Sequence, residues 1–184
     1  MARVLVPFTT GVEEIEFVAI VDILRRAGVE TCTASLDGNS VRGRSNIVID
    51  ADAALMDVMA QDWDMIVFPG GLPNAHLLRD DINVRALVER LRLKSKTIAA
   101  ICAAPTALAA YGITAGRRVT SYPACRSEME ELQPSSVYVD DAVVEDDFLI
   151  TSRGAGTAVE FSLSLIARLC GEGKAAEIRE SIVA

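Results

Sequence analysis

Thr97-Ile98-Ala99-Ala100-Ile101-Cys102-Ala103-Ala104-Pro105 decides the fold, because a strand and a helix meet within it. Residues 97–101 predict a buried strand and residues 103–110 predict a helix, with Pro105 in the first turn, where proline is tolerated. A cysteine on such a turn has its sulfur aimed at a helix N-terminus, where unpaired N–H groups and the helix dipole favour the thiolate. Cys102 is therefore a candidate nucleophile; the alternative is that it is one more buried cysteine of the core.

Apolar strands and amphipathic helices alternate on both sides of this turn. The predicted strands are 3–8, 29–36, 63–68, 97–101 and 118–121, with further β structure in 40–50 and in 136–152, which we expect to turn at Glu145-Asp146-Asp147. The predicted helices are 13–27, closed by Gly28, a helix behind Asp80-Asp81 that carries Val84, Leu87, Val88 and Leu91 on one face, and then 103–110, 157–170 and 173–182. This order predicts a single α/β domain over residues 1–184, a doubly wound sandwich with a mainly parallel central sheet and helices on both faces.

The overall composition excludes several classes of protein. The chain has 184 residues, 51% of them hydrophobic and 24% charged, and a net charge of −8, which disfavours binding to nucleic acid or to an anionic membrane. No basic, apolar leader opens the chain, and its most apolar stretch, 97–113, is interrupted by Pro105 and Gly112. Four scattered cysteines (Cys32, Cys102, Cys125 and Cys170) predict a reducing cytoplasm and no disulfide framework. No cluster has metal-ligand spacing, and we expect neither a metal nor a cofactor.

The first predicted helix is apolar on nearly every side. From Ile15 to Leu24 only Glu16 and Asp22 interrupt the apolar residues. A helix of this kind is covered on both sides, one side by the sheet and the other by another helix or a second subunit. We therefore expect a homodimer that packs through residues 13–27.

Ligands of doubly wound sheets bind outside the carboxyl ends of the strands. Three loops meet this description: the loop that leads to Glu13, Glu14 and Glu16, the loop Pro69-Gly70-Gly71-Leu72-Pro73, and the Cys102 turn. Gly70 and Gly71, together with the N–H group of Ala103, are candidates for holding an oxyanion near Cys102, because glycine allows a close approach of the backbone. The alternative for the two glycines is an ordinary tight turn.

Glu16 is the carboxyl group that we single out. Its apolar surroundings predict a raised pKa, so that a neutral Glu16 donates a hydrogen bond to the Cys102 sulfur and later carries protons for a carbonyl substrate. On this interpretation we expect a thiol pKa at Cys102 well below the ~8.5 of free cysteine. The alternative is that Glu16 caps or solvates its helix.

His76 is the only histidine of the chain, which argues against a cysteine–histidine hydrolase. It reaches Cys102 only if its loop folds back, and we expect it to be a surface loop residue. Tyr122 and Arg153 also follow strands. Tyr122 is a candidate for a pocket wall or a hydroxyl donor and Arg153 for binding an anionic group, although packing or a surface ion pair explains each as well.

Four segments together resemble the ThiJ/PfpI superfamily, and within it the Parkinsonism-associated deglycase branch and its bacterial relatives. They are Val12-Glu13-Glu14-Ile15-Glu16, Phe68-Pro69-Gly70-Gly71, Ala99-Ala100-Ile101-Cys102-Ala103-Ala104-Pro105 and Thr151-Ser152-Arg153-Gly154-Ala155-Gly156-Thr157. The resemblance implies a flavodoxin-like fold and a homodimer packed partly through the first helix. It also implies that Cys102 is the oxidisable nucleophile, Glu16 its protonated partner and Gly71 a backbone donor.

The resemblance has two departures and one open point. Tyr122 stands where the human relative has a histidine, although bacterial relatives also carry an aromatic residue there, and Ala103 stands where the protease-like branch has its histidine. An arginine near the pocket of relatives falls at or beside Arg44-Ser45, and the register of this segment is open.

The resemblance implies a cofactor-free stress-response protein that acts on reactive carbonyls, either as a glyoxalase on methylglyoxal or as a deglycase on early glycation adducts. The first alternative is a non-enzymatic redox sensor or chaperone in which Cys102 is oxidised to the sulfinate. A minor alternative is a hydratase that acts on a small molecule through the same cysteine and carboxyl group.

Overall fold

The computed structural model describes residues 1–184. Its eleven strands, in chain order, are β1 (Arg3–Phe8), β2 (Glu30–Ser35), β3 (Ser40–Arg42), β4 (Val48–Asp50), β5 (Ala53–Ala54), β6 (Met65–Phe68), β7 (Thr97–Ile101), β8 (Arg118–Val119), β9 (Val137–Tyr138), β10 (Val143–Asp146) and β11 (Leu149–Ser152).

Eight α-helices and two short 3₁₀ helices complete the secondary structure. The α-helices are α1 (Glu14–Arg26), α2 (Leu55–Val58), α3 (Asn74–Asp80), α4 (Ile82–Leu93), α5 (Pro105–Ala110), α6 (Arg126–Leu132), α7 (Ala158–Cys170) and α8 (Glu172–Ser181). The 3₁₀ helices span Pro123–Cys125 and Ala155–Thr157. None of the helices combines the length and the apolar character needed to cross a membrane.

Seven strands form the central sheet in the order β10-β11-β7-β6-β1-β2-β5. All neighbouring strands run parallel except β10 and β11, which form an antiparallel hairpin at one edge. Two further pairs lie outside this sheet, the antiparallel β3–β4 hairpin and the parallel pair β8–β9. The predicted fold class, a mainly parallel α/β sheet flanked by helices, is confirmed.

The central strands are buried on both faces. Every residue of β6 is buried, as is all of β7 except Thr97, because helices cover both sides of a parallel sheet. These strands therefore appear in the sequence as continuous apolar runs rather than as alternating patterns. They form the centre of a single cluster of 50 buried hydrophobic residues, which fixes the positions of the loops at the carboxyl ends of the strands.

Several predicted boundaries were wrong. The strand predicted at 118–121 ends at Val119, and the hairpin turns at Asp147-Phe148, so that Glu145 and Asp146 belong to β10. Three helices were missed because each is short and buries too few side chains to show a helical period; they are α2, α3 and α6.

The first helix is open to solvent on one side. Phe17, Ile20 and Leu24 are buried in the core, whereas Ile15 is 62% exposed and Val18 is 55% exposed. Within a single chain α1 is therefore packed against other elements on one side only, whereas the sequence predicts that both sides are covered.

Candidate active site

Cys102 lies on the turn between β7 and α5. It has a φ of +65°, a left-handed conformation that costs free energy for any residue with a β-carbon and that is found where function requires it. Two backbone hydrogen bonds hold the turn: Cys102 N–H donates to the Ser152 carbonyl at 3.0 Å, and Tyr122 N–H donates to the Cys102 carbonyl at 2.7 Å. The strained turn is thus fixed from both sides and directs the sulfur out of the sheet.

Two backbone N–H groups act on the sulfur. The N–H groups of Gly71 and Ala103 lower the pKa of the Cys102 thiol, and both belong to the three backbone donors that the sequence predicts here. Gly71 has a φ of +92°, and a β-carbon there would lie 2.3 Å from the Gly11 carbonyl oxygen. Only glycine can therefore present its N–H group at this position.

Gly70 has a different partner from the one predicted. Its N–H group donates to Oε2 of Glu16 at 2.8 Å, so it orients the carboxyl group rather than an oxyanion at the sulfur. A β-carbon at Gly70 would lie 2.6 Å from Cβ of Cys102 and 2.6 Å from Oε2 of Glu16. This glycine is the spacer that allows the glutamate and the cysteine to meet.

Glu16 lies in the first turn of α1 and is 0% exposed. Its side chain lies close enough to Cys102 for each group to change the pKa of the other, and its Oε1 is buried without a hydrogen-bond partner. Glu13 caps the helix in place of Glu16, because its carboxylate accepts the Glu16 N–H group at 2.8 Å. Burial raises the pKa of Glu16 to about 7. A capping role for Glu16 therefore does not fit the structure.

The pKa of Cys102 requires a correction. Burial, followed by the charge of an ionised Glu16, raises the pKa of the Cys102 thiol to about 12, against the opposing effect of the Gly71 and Ala103 N–H groups. The prediction of a low pKa was based on the helix N-terminus alone, whereas burial has the larger effect on this thiol. Because each group shifts the pKa of the other, the steps near pH 7 and pH 12 belong to the pair rather than to either residue.

A pocket of about 400 Å³ opens above the pair. Arg44, whose segment was left open in the sequence analysis, lines this pocket, and a hydrogen bond of 2.9 Å from its N–H group to the Val12 carbonyl holds the β3–β4 turn. The Arg44 charge lowers the pKa of Glu16, as the smallest of the effects on that group. Leu72, Tyr122 and Glu128 form other parts of the wall.

Tyr122 forms a wall of this pocket and is 50% exposed. Its ring passes close to Gly154, where a β-carbon would lie 3.5 Å from Cδ2. The Tyr122 hydroxyl makes no hydrogen bond within the chain, so the structure offers it a role in packing rather than as a donor.

Arg153 makes the surface contacts that were the alternative to its predicted role in binding an anionic group. Arg153 does not line the pocket, because its Nη1 donates to the Asp140 carbonyl at 2.8 Å and its Nη2 lies 3.9 Å from the Asp140 carboxylate. The same segment reaches the pocket through Ala155 instead.

His76 lies on α3, not in a loop. Its Nε2 is 3.3 Å from Oε1 of Glu128, and it does not line the pocket. Cys102 therefore has no imidazole partner. Three further pocket residues were missed: Ala124, Cys125 and Glu128. Cys125 and Glu128 are three positions apart and follow directly after Tyr122-Pro123. This spacing is typical of a helical turn.

The carboxyl ends of four adjacent strands (β11, β7, β6 and β1) thus converge on one cysteine and one buried glutamate. This arrangement defines the class of protein: a flavodoxin-like α/β protein with a candidate cysteine site at a strand-to-helix turn. Comparison with known proteins agrees. The model of the DJ-1/PfpI family matches residues 2–168, and the chain belongs to this family.

Three relatives illustrate the similarity. The chain is 38% identical to Protein dj-1beta of Drosophila melanogaster over 97% of its own length and 95% of the relative's. It is 37% identical to the glutathione-independent glyoxalase DJR-1.2 of Caenorhabditis elegans, over 88% and 85% of the two chains. The solved structure of oxidized Toxoplasma gondii DJ-1 superimposes with a TM-score of 0.94 at 34% identity, over 100% of this chain and 98% of that one.

Proposed function

We propose that the protein is a cofactor-free enzyme that converts small 2-oxoaldehydes such as methylglyoxal into 2-hydroxyacids, with Cys102 as nucleophile and Glu16 as acid and base. The observation that carries this proposal is the burial of Glu16 beside Cys102, with Oε1 left without any hydrogen-bond partner. A carboxyl oxygen with no donor in a dry site is most stable when it carries the proton itself.

The distribution of donors supports a negative charge on the sulfur. The N–H groups of Gly71 and Ala103 both lower the pKa of the Cys102 thiol, whereas one N–H group, that of Gly70, donates to the Glu16 carboxyl group. When the pair holds one proton, that proton is therefore better placed on Oε1, from which it is donated to the thiolate. On this proposal the step of the pair near pH 7 removes the proton from the sulfur, so that the active form is a thiolate beside a neutral carboxylic acid.

The first chemical step follows from this form. The thiolate attacks the aldehyde carbon, a carbon–sulfur bond forms, and the proton of Glu16 passes to the aldehyde oxygen to give a hemithioacetal. The N–H groups of Gly71 and Ala103, freed from the thiolate charge, lie close enough to stabilise negative charge on that oxygen as it develops.

Glu16, now a carboxylate, serves as the base for the second step. It removes the proton from the former aldehyde carbon, and the resulting enediol is reprotonated at the neighbouring carbon to give a thioester of the 2-hydroxyacid. One water molecule hydrolyses the thioester, which releases the acid and restores the thiol. A first proton loss from the Glu16–Cys102 pair near pH 7 suits both proton transfers, because acid–base catalysis is most effective when the catalytic group titrates near the working pH.

The name of the Caenorhabditis elegans relative supports this activity for the family. The same attack on the carbonyl carbon of an early glycation adduct would give a deglycase outcome. The test is lactate formation from methylglyoxal by wild type, Cys102→Ser, Glu16→Gln and the matched control Cys170→Ser, whose cysteine is exposed and far along α7. We expect no turnover with Cys102→Ser, a loss of about 10²–10⁴-fold with Glu16→Gln, and no change in the control. Lactate production that survives Cys102→Ser would refute the proposal.

A second function, redox sensing, is favoured by the convergence of three donors on the sulfur. Two equivalents of peroxide would convert the thiolate to the sulfinate, with release of two water molecules. The Glu16 hydroxyl and the N–H groups of Gly71 and Ala103 would then bind the sulfinate oxygens. Intact-mass spectrometry after graded peroxide tests this: a gain of two oxygens at Cys102 alone supports it, and equal oxidation of Cys32, Cys125 and Cys170 contradicts it.

We also propose a homodimer through α1. Ile15 and Val18 are exposed on this helix, and Ile47 and Val48 of the neighbouring β3–β4 hairpin are 57% and 53% exposed. The two segments are contiguous, because the Ser45 N–H group donates to Oε1 of Glu14 at 2.7 Å. A shared apolar face of this kind is typical of a subunit interface. Sedimentation of Val18→Glu tests it: the dimer should dissociate, and an unchanged mass contradicts this interface.

The proposed compartment is the cytoplasm. All four cysteines are free thiols, and Cys170 is exposed. A reactive thiolate and an exposed free cysteine both persist in a reducing environment.

A further inference from the structure

Glu128 lies on the wall of the Cys102 pocket, and its carboxylate is held from behind by two side chains of α3. Arg79 Nη1 lies 2.8 Å and His76 Nε2 lies 3.3 Å from the same oxygen, Oε1. Neither of these two residues lines the pocket, whereas Glu128 does. Two contacts on one oxygen restrain the carboxylate at the wall and leave Oε2 without a partner in the chain.

The charge of Glu128 is only partly compensated. Arg79 faces two carboxylates, Asp80 at 2.9 Å and Glu128 at 2.8 Å. With His76 counted as neutral, the formal charges of Arg79, Asp80 and Glu128 at pH 7 sum to −1. The Glu128 side chain is 33% exposed, so solvent weakens its field without removing it.

The remaining charged groups of the pocket do not offset this. Glu13 also lines it and is almost fully buried, while Arg44 is the only cation among the lining residues and its side chain is exposed. An electrophile that reaches Cys102 therefore shares the pocket with two carboxylates outside the catalytic pair, Glu13 and Glu128, and with a single cation.

We propose that Glu128 is a specificity-determining residue, which makes Cys102 react with neutral or cationic electrophiles in preference to anionic ones. Repulsion between like charges is an effective way to exclude a wrong ligand. For substrates, it selects 2-oxoaldehydes without a carboxylate or phosphate group. In that form the inference rests on the proposed function, so its test must not depend on turnover.

The test compares two alkylating agents of similar size, iodoacetamide, which is neutral, and iodoacetate, which is anionic. Each forms a carbon–sulfur bond to Cys102 and releases iodide, and peptide mass spectrometry reads the rate at this cysteine. The iodoacetamide-to-iodoacetate rate ratio, divided by that of N-acetylcysteinamide in solution, measures selection by the pocket. In Glu128→Gln we expect this ratio to fall about threefold to tenfold. Glu131→Gln, on the exposed side of the same helix, should keep the wild-type ratio.

An unchanged ratio in Glu128→Gln overturns the proposal, including the case in which both rates rise together because the pocket has opened. A second measurement uses wild-type protein alone: raising the salt concentration should lower the ratio, because salt screens exposed charges, and a ratio independent of salt contradicts the proposal. Turnover of phenylglyoxal against 4-carboxyphenylglyoxal then separates the two claims. Absence of turnover with both compounds refutes the proposed reaction, while a shifted alkylation ratio still supports selection by charge.

Discussion

The base of the pocket, formed by Glu16 and Cys102, and its rim, formed by Tyr122 and Glu128, differ in which groups hold their side chains in position. At the base, Glu16 and Cys102 are buried and are positioned by backbone groups: two N–H donors at the sulfur, one at the carboxyl group and a glycine spacer between them. At the rim, Tyr122 is half exposed and Glu128 is positioned by side chains. The base therefore resists substitution and sets the chemistry, whereas the rim can change residue by residue and sets which molecules reach it.

The largest expected difference between substitutions at the base and at the rim is in how the free energy of unfolding depends on pH. The pKa of Glu16 is raised from 4.5 to about 7 in the folded protein, so between these values the native state holds one proton more than the unfolded state. Stability must then fall as the pH rises through this window, by about 3 kcal/mol in total at ~1.4 kcal/mol per pH unit. Glu16→Gln should abolish this decline.

Denaturant unfolding of wild type and Glu16→Gln at pH 4.5 and pH 7 measures the difference. Glu131→Gln, which removes an exposed carboxyl group, should retain the wild-type decline. Equal slopes in wild type and Glu16→Gln would mean that Glu16 is not held in its neutral form by the fold.

A smaller effect is expected when Gly70, the glycine between Glu16 and Cys102, is replaced by alanine. Gly70→Ala would place a methyl group 2.6 Å from both the cysteine and the glutamate, which must move them apart. A displacement of about 1 Å at reacting groups costs on the order of 10²-fold in rate. Gly156→Ala is the matched control, because no atom lies within 4 Å of a β-carbon at that position. Wild-type turnover of methylglyoxal by Gly70→Ala would contradict the claim that Glu16 and Cys102 meet only because no side chain lies between them.

The smallest effect is expected at the rim. Tyr122→Phe keeps the aromatic wall and removes a hydroxyl that makes no hydrogen bond in the chain, so turnover should change by less than about twofold. Tyr122→Ala, which removes the wall itself, is the comparison. If Tyr122→Phe lost most of the activity, the hydroxyl would be a catalytic donor, and the rim would take part in the chemistry.

The sequence predicted the base better than the rim. The Cys102 turn, the Gly70-Gly71 loop and the isolated carboxyl group of Glu16 are encoded locally, by the end of an apolar run, by residues that permit a close approach, and by one charge in an apolar helix. Arg153 was placed at the correct strand end, but its pairing with Asp140 depends on a residue 13 positions away. Glu128 lies on α6, a helix too short to show a period, and Arg79 and His76 reach it from α3, another missed helix.

At the base of the pocket, the effect of burial on the pKa values of Glu16 and Cys102 could not be predicted from the local sequence. A helix terminus lowers a thiol pKa, and this effect is visible from the order of strand and helix. Desolvation depends on what packs above the turn, and here it raises the pKa of both groups of the pair.

The central claim is that Glu16 keeps the proton while Cys102 carries the charge, and titration of the thiolate by its ultraviolet absorbance in wild type and Glu16→Gln tests it most directly. If the claim holds, the wild-type thiolate forms near pH 7, and its pKa rises in Glu16→Gln, because a neutral amide is a weaker donor than a carboxylic acid. If instead the wild-type thiolate forms only near pH 12 and its pKa falls in Glu16→Gln, then Glu16 is a repelling carboxylate and the account is contradicted.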